Sequence, residues 1–180
     1  MYRFHYYHIK PKYNHHAQLL FSDTDSLMYH IVTPDVYAHM KLEADSYDTS
    51  DYSPNHFLHS KTNKKVIGKF KDETAGSPIR EFVGLRAKMY SFALDSGREK
   101  KTAKGVKKSV KEREIKHQDF KDCLFSKVPQ QHSMIGFMSD CHQLYTEKLT
   151  KTSLSPYDDK RYLLEDGVTS LAYGHYKVFS

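Results

Sequence analysis

Short apolar runs broken by polar links set the first expectations for this chain. Leu19 to Phe21 predicts a buried strand, and Ser26 to Val32 predicts a second. In the second run Leu27, Tyr29 and Ile31 fall on one face, and Met28, His30 and Val32 on the other. Both faces are largely apolar, so burial on both sides is expected. The short link between the runs predicts a hairpin, although Asp-Thr is not a favoured hairpin dipeptide. Upstream, residues 2–10 predict the last turns of a helix with Phe4, Tyr7 and His8 on one side, stopped by Pro11.

Downstream, Thr33–Pro34–Asp35 predicts a helix start, with threonine capping and proline in the first turn. Val36, Tyr37 and Met40 form its apolar side, and its end is expected near Ala44. Residues 45–63 are polar and predict a long loop. Lys65 to Lys71 predicts a strand, Asp72 to Pro78 a turn region, and Ile79–Val83 and Arg86–Leu94 two more strands, with a bulge at Gly84. On the last strand Arg86, Lys88 and Tyr90 would share one side. Residues 106–116 and 117–125 predict helices, the second with Phe120, Cys123 and Leu124 on one side. Residues 132–149 predict two strands around Ser139–Asp140. Residues 153–162 predict a turn-rich element in which Asp158 and Asp159 pair with Lys160 or Arg161.

Charge sharpens this outline. The chain has 180 residues and a formal charge of +6, but the charge is segregated. Residues 23–60 hold one basic and seven acidic residues, whereas residues 61–121 hold 18 basic and eight acidic. The densest basic stretch is Lys100 to Lys108. A polyanion is the expected partner of that zone, and the alternative is a solvated lysine surface. No apolar run is long enough to span a bilayer, and Met1 to His8, aromatic and basic, does not read as a signal peptide. Cys123 and Cys141 form no Cys-x-x-Cys pair and are expected as buried thiols in a reducing compartment.

Candidate chemistry sits at the first hairpin. Asp23 and Asp25 are two residues apart, so extended backbone would point them the same way. Two such carboxylates repel, and a divalent cation relieves the repulsion. Mg²⁺ suits one or two carboxylates, with water and phosphate oxygens completing its shell. The alternative is an exposed acidic turn. Arg86 and Lys88 could neutralise phosphates, and the Tyr90 hydroxyl could bond to phosphate or sugar. The histidine pairs His5/His8 and His15/His16 lack a third ligand and predict packing or exposure.

With these residues in view, Phe21–Ser22–Asp23–Thr24–Asp25–Ser26 resembles the Asp-Thr-Asp-Ser active-site turn of family-B DNA polymerases. Gly84 to Ser91 resembles their Lys-x-Tyr element. Ala103 to Lys108 and Leu154 to Tyr162 resemble segments of the protein-primed branch, which includes viral, organellar and self-synthesising transposon enzymes. The resemblance implies an α+β fold: a C-terminal palm portion over residues 1–95, with helices packed on the Asp-Thr-Asp hairpin, then a small thumb and tail over 96–180. It implies template-directed nucleotidyl transfer from dNTPs by two-metal catalysis with Mg²⁺. Asp25 would ligate the metal, with Asp23 as its supporting neighbour. Lys88 and Tyr90 would hold primer-template DNA, beside the Arg86 already read as a phosphate contact, and the basic zone with Lys104, Lys107 and Lys108 would grip duplex. The implied partners are primer-template DNA, a dNTP and a terminal protein primer, with no membrane.

Family members also carry an upstream metal-binding aspartate in an Asp-x-x-Ser-Leu-Tyr-Pro-like motif, a fingers lysine and an exonuclease domain. None of these motifs occurs in this chain. The expectation is therefore a C-terminal fragment with little or no polymerase activity alone. Two alternatives stay open: a non-catalytic DNA-binding remnant, and a metal-dependent nucleotide-sugar transferase built on an Asp-x-Asp site.

Overall fold

The computed structural model describes residues 1–157, 161–166, 169–172 and 174–178. They form a mixed helix-and-strand protein with small sheets and no barrel. The chain divides into two compact units, Met1–Pro78 and Ile79–Ser180. Residue 95, where the expected palm portion ends, lies in the turn between two paired strands.

The first unit begins with a helical run whose middle is widened. Helix α1 (Tyr2–Phe4) passes into a π-helical segment (His5–Ile9), then into α2 (Lys10–Tyr13). Pro11 does not end the run. The Lys10 N–H reaches five residues back to the His5 carbonyl. Such widening accommodates a proline, whose ring otherwise meets the carbonyl four residues earlier. It also changes which side is buried. Phe4, Ile9 and Tyr13 point inward, while Tyr7 is 76% exposed. The expected face of Phe4, Tyr7 and His8 assumed α-helical spacing. The five-residue step from Phe4 to Ile9 matches the π-turn.

Strands β1 (Ala17–Asp23) and β2 (Ser26–Ile31) form the expected antiparallel hairpin. Leu27, Tyr29 and Ile31 pack against Phe4, Ile9 and Tyr13. The opposite face is not buried as expected, because His30 and Val32 are exposed. The hairpin is a two-stranded sheet with a core on one side only. Burial pushes the Tyr29 phenol up to about 12, and its hydroxyl bonds to His5 Nδ1 at 2.9 Å.

Helix α3 (Val36–Leu42) is capped by Asp35, not Thr33. The Asp35 carboxylate accepts from the Tyr37 and Ala38 N–H groups at 2.9 and 3.0 Å. A carboxylate at that position satisfies orphan amides and complements the helix dipole. Met40 lies in a second small core with Tyr52 and Leu58.

The strand expected over 65–71 shrinks to β4 (Phe70–Lys71), which pairs in parallel with β3 (Tyr47–Asp48). Lys65 and Gly68 take positive φ and break the extended run, and Ile67 is 99% exposed. Two aspartates organise the long connection instead. Asp48 accepts from the Ser50 and Lys65 N–H groups, both at 3.0 Å. Asp72 accepts from the Tyr52 hydroxyl and the Gly76 N–H, both at 2.8 Å. Gly76 has φ +87°, which a side chain would strain.

The backbone N–H groups of Ser50 and Lys65 hold the Asp48 carboxyl below its ordinary value. A lowered folded-state value contributes stability above the unfolded value and loses it as pH falls through the folded one. Amide exchange at Ser50 and Lys65 is therefore expected to quicken below about pH 4. In Asp48→Asn both amides should exchange faster at neutral pH. Equal exchange in both proteins from pH 3 to 7 would refute this.

The second unit is built on a three-stranded antiparallel sheet: β5 (Ile79–Arg86), β6 (Met89–Leu94) and β7 (Glu99–Ala103). The expected strand over Arg86–Leu94 is interrupted. Ala87 and Lys88 form a two-residue turn, with Lys88 at φ +58°. The register shift next to Gly84 agrees with the bulge expected there. Helices α4 (Lys108–Arg113) and α5 (His117–Ser126) follow. The core joins Val83, Met89 and Ala103 from the sheet to Val110, Ile115, Phe120 and Cys123. Ile115, Phe120 and Leu154 have no exposed surface, and burying each such side chain contributes roughly 1.5–3 kcal/mol.

Strands β8 (Gln130–Asp140) and β9 (Gln143–Leu154) form a long hairpin, extending the expected 132–149 at both ends. Cys141 and His142 both have positive φ, the primed turn that matches strand twist. Cys141 is exposed there, correcting the expectation of two buried thiols; Cys123 is buried. Strands β10 (Arg161–Leu163) and β11 (Ser170–Ala172) form a last small hairpin. The pairing expected of Asp158 and Asp159 lies outside the described residues.

Candidate metal turn and nucleic-acid interface

The hairpin tip in the first unit is a two-residue loop. Asp23 pairs with Ser26, leaving Thr24 and Asp25 between the strands. The commonest two-residue hairpin loops place positive φ at the first loop position, and Thr24 takes φ +52°. For a β-branched residue this conformation costs roughly 1–2 kcal/mol. Two side-chain bonds brace it: Ser26 Oγ donates to the Asp23 carbonyl at 3.0 Å, and Thr24 Oγ1 donates to the Asp23 carboxylate at 3.2 Å. A bulge lies between Leu19 and Phe21 on the same strand, a feature that re-aims nearby side chains.

This geometry changes the expected relation of the two acids. Asp23 ends a strand and is half-buried, whereas Asp25 lies in the turn and is exposed. They are not two successive outward positions on one extended backbone. Among the described residues, no three His, Cys, Asp or Glu side chains converge to hold a metal ion. The acidic donors at the tip are Asp23 and Asp25. Two carboxylates suit one Mg²⁺ that keeps several waters or phosphate oxygens.

In the second unit the expected DNA-binding residues gather at one end of the sheet. Arg86 ends β5, Lys88 sits in the next turn, and Lys104 follows β7. The Lys104 N–H donates to the Lys88 carbonyl at 3.0 Å, which joins the two turns. Arg86 donates to the Tyr157 carbonyl at 3.1 Å. Tyr90 lies one register step inward, opposite Thr102, with its ring 6.2 Å from Phe82. The single strand face expected for Arg86, Lys88 and Tyr90 is thus replaced by a hairpin end. Lys107 and Lys108 follow directly. Lys107 Nζ sits 5.5 Å over the Phe137 ring, and Lys108 Nζ lies 3.8 Å from Glu112. Gly105, at φ +87°, makes the turn between Lys104 and these two cations.

Comparison with protein-family models, with curated proteins and with solved structures finds no match for this chain.

One polar cluster escaped the sequence. Ser91, fully buried, bonds through Oγ to His117 Nδ1 at 2.8 Å. His117 Nε2 bonds to Glu81 at 3.2 Å, and Glu81 pairs with Lys121 at 2.6 Å. The Lys121 ammonium, with His117, holds the Glu81 carboxyl below its ordinary value. Serine, histidine and carboxylate lie in hydrogen-bond sequence here, but the hydroxyl has no solvent access. The cluster clasps α5 to β5 and β6. No local motif marks it, because its members are 10 and 26 residues apart.

Proposed function

We propose that this chain is a palm-and-thumb portion of a DNA-directed DNA polymerase of the family-B, protein-primed type. The observation that carries the proposal is the first hairpin. Asp23 and Asp25 flank a left-handed Thr24 at the tip of two paired strands, within the six residues that resemble the family's Asp-Thr-Asp-Ser turn. An acidic pair at a hairpin tip, one member ending a strand and the other in the loop, suits a cation that must also accept phosphate oxygens. Bound there, Mg²⁺ supplies fixed positive charge where a triphosphate would carry negative charge. Asp25 is the metal ligand and Asp23 its neighbour. Among the described residues, no third His, Cys, Asp or Glu joins this pair.

The basic end of the second unit supports a DNA partner. Arg86, Lys88 and Lys104 meet at one sheet end, with Lys107 and Lys108 next in the chain. Such cations position a nucleic-acid backbone without reading sequence. Tyr90, one step inward, suits a sugar or phosphate contact.

Metal-directed cleavage tests the hairpin. Fe²⁺ substituted for Mg²⁺, with ascorbate and peroxide, should cut the backbone near Thr24. Excess Mg²⁺ should suppress the cut, and Asp25→Ala should abolish it. Cleavage that persists in an Asp23→Ala/Asp25→Ala chain would sink the metal assignment. Absence of cleavage with duplex binding intact would reduce the proposal to DNA binding alone.

A further inference from the structure

The first helical run presents a second surface that the acidic turn does not use. Tyr2, Tyr6 and Lys10 recur every four residues, the spacing that stacks side chains along a helix. The Tyr2 and Tyr6 rings lie 6.4 Å apart and within 15° of parallel. Lys10 Nζ sits 5.4 Å from the centre of the Tyr6 ring. Tyr2 is 82% exposed and Tyr6 51% exposed. The buried side of the run is used by Phe4, Ile9 and Tyr13, so this ladder has no part in the core.

Its charge is one-sided. Residues 1–22 contain Arg3, Lys10 and Lys12 and no carboxylate. An exposed stack of aromatic rings ending in an ammonium, on a segment free of acids, matches the surface that holds unpaired bases. Each base offers a π-face to a tyrosine, and a lysine neutralises the phosphate that follows. A duplex buries its base faces in its own stack and cannot use the rings in this way. Glu43 pairs with Lys12 and His8 on this run, but Lys10 stands at the rings themselves, and a cation beside exposed rings favours the nucleic acid.

We propose that Tyr2, Tyr6 and Lys10 form a stacking platform for a short single-stranded stretch of nucleic acid. The platform is separate from the duplex contacts proposed for the second unit.

The test uses the full 180-residue chain and a dye-labelled oligo(dT) of about twelve nucleotides, within the usual single-strand site size, followed by fluorescence anisotropy at fixed salt. Tyr2→Ala/Tyr6→Ala should weaken binding about tenfold or more, as loss of base stacking does. Tyr2→Phe/Tyr6→Phe should bind within about twofold of the parent, because phenylalanine keeps the π-face. Lys10→Ala should flatten the salt dependence by about one ion. All three exchanges are at exposed positions, and thermal melting checks that each chain folds.

An alanine pair that binds oligo(dT) as the parent does would overturn the platform, as would a phenylalanine pair that loses as much as alanine. The variant Lys104→Ala/Lys107→Ala/Lys108→Ala separates this result from the duplex proposal. Loss of oligo(dT) binding in that variant alone would assign all nucleic-acid binding to the second unit and end the platform. Binding of oligo(dT) through the tyrosines in a chain that ignores duplex would keep the platform and end the duplex reading.

Discussion

A chain carrying Lys104→Ala, Lys107→Ala and Lys108→Ala is expected to bind primer-template duplex about 10- to 100-fold more weakly at about 100 mM salt. Each phosphate left without its cation removes about 0.9 from the slope of log affinity against log salt, so three such phosphates lower it by roughly 2.7. The effect should shrink as salt rises and should not depend on DNA sequence, because a cation beside a phosphate carries no base information. Lys104 and Lys107 stand in the short link between β7 and α4, Lys108 opens α4, and Lys104 bonds to the turn that holds Lys88. Lys108 already has Glu112 as a helical neighbour, and such exposed pairs are weak. Its charge therefore remains open to phosphate. An unchanged salt slope in the triple variant, measured by anisotropy titration, would remove the duplex interface from this part of the chain.

Replacing His117 with alanine is expected to lower the stability of the second unit by about 2–4 kcal/mol. Two effects add. Removing the ring leaves a cavity in a buried site, and the Ser91 hydroxyl is stranded without a hydrogen-bond partner and with no solvent to replace it. Glu81 is also deprived of the imidazole, but it keeps Lys121 and is only partly buried, so its share is small. A domain of this size has roughly 5–15 kcal/mol in all, so the loss is a large fraction. Urea unfolding would show the midpoint falling with an unchanged slope. Adding Ser91→Ala should recover part of the stability, because it removes the stranded hydroxyl. A double variant no more stable than His117→Ala would mean that the hydroxyl is satisfied elsewhere.

Features that depend on near neighbours could be read from the chain, and features that depend on distant ones could not. The first hairpin was legible because both strands, their turn and their acids are consecutive in the sequence. Leu27, Tyr29 and Ile31 alternate as a half-buried strand must. Helix α5 was legible for a similar reason: Phe120, Cys123 and Leu124 recur at helical spacing and reach the core. The candidate DNA-binding residues could be named from the chain, but not arranged. Arg86, Lys88 and Tyr90 obey strict alternation on paper. Alternation cannot show that Ala87 and Lys88 turn the chain back. Neither residue is a usual turn former, and the turn is set by the pairing of β5 with β6. The same limit hid the π-turn, since five-residue spacing from Phe4 to Ile9 is visible only once both side chains are seen buried together.

What the sequence determined by itself is therefore the strongly periodic elements, the segregation of acid from base, and the position of the acidic pair between two apolar runs. These follow from interactions among neighbours in the chain. Tertiary structure alone decided that Thr24 is left-handed, that Asp25 is exposed while Asp23 is half-buried, that Lys88 and Lys104 meet, and that Ser91, His117 and Glu81 join. Each of these depends on strand register or on helix-to-sheet packing. Both are set by burying apolar surface across long separations, where local propensity carries no information.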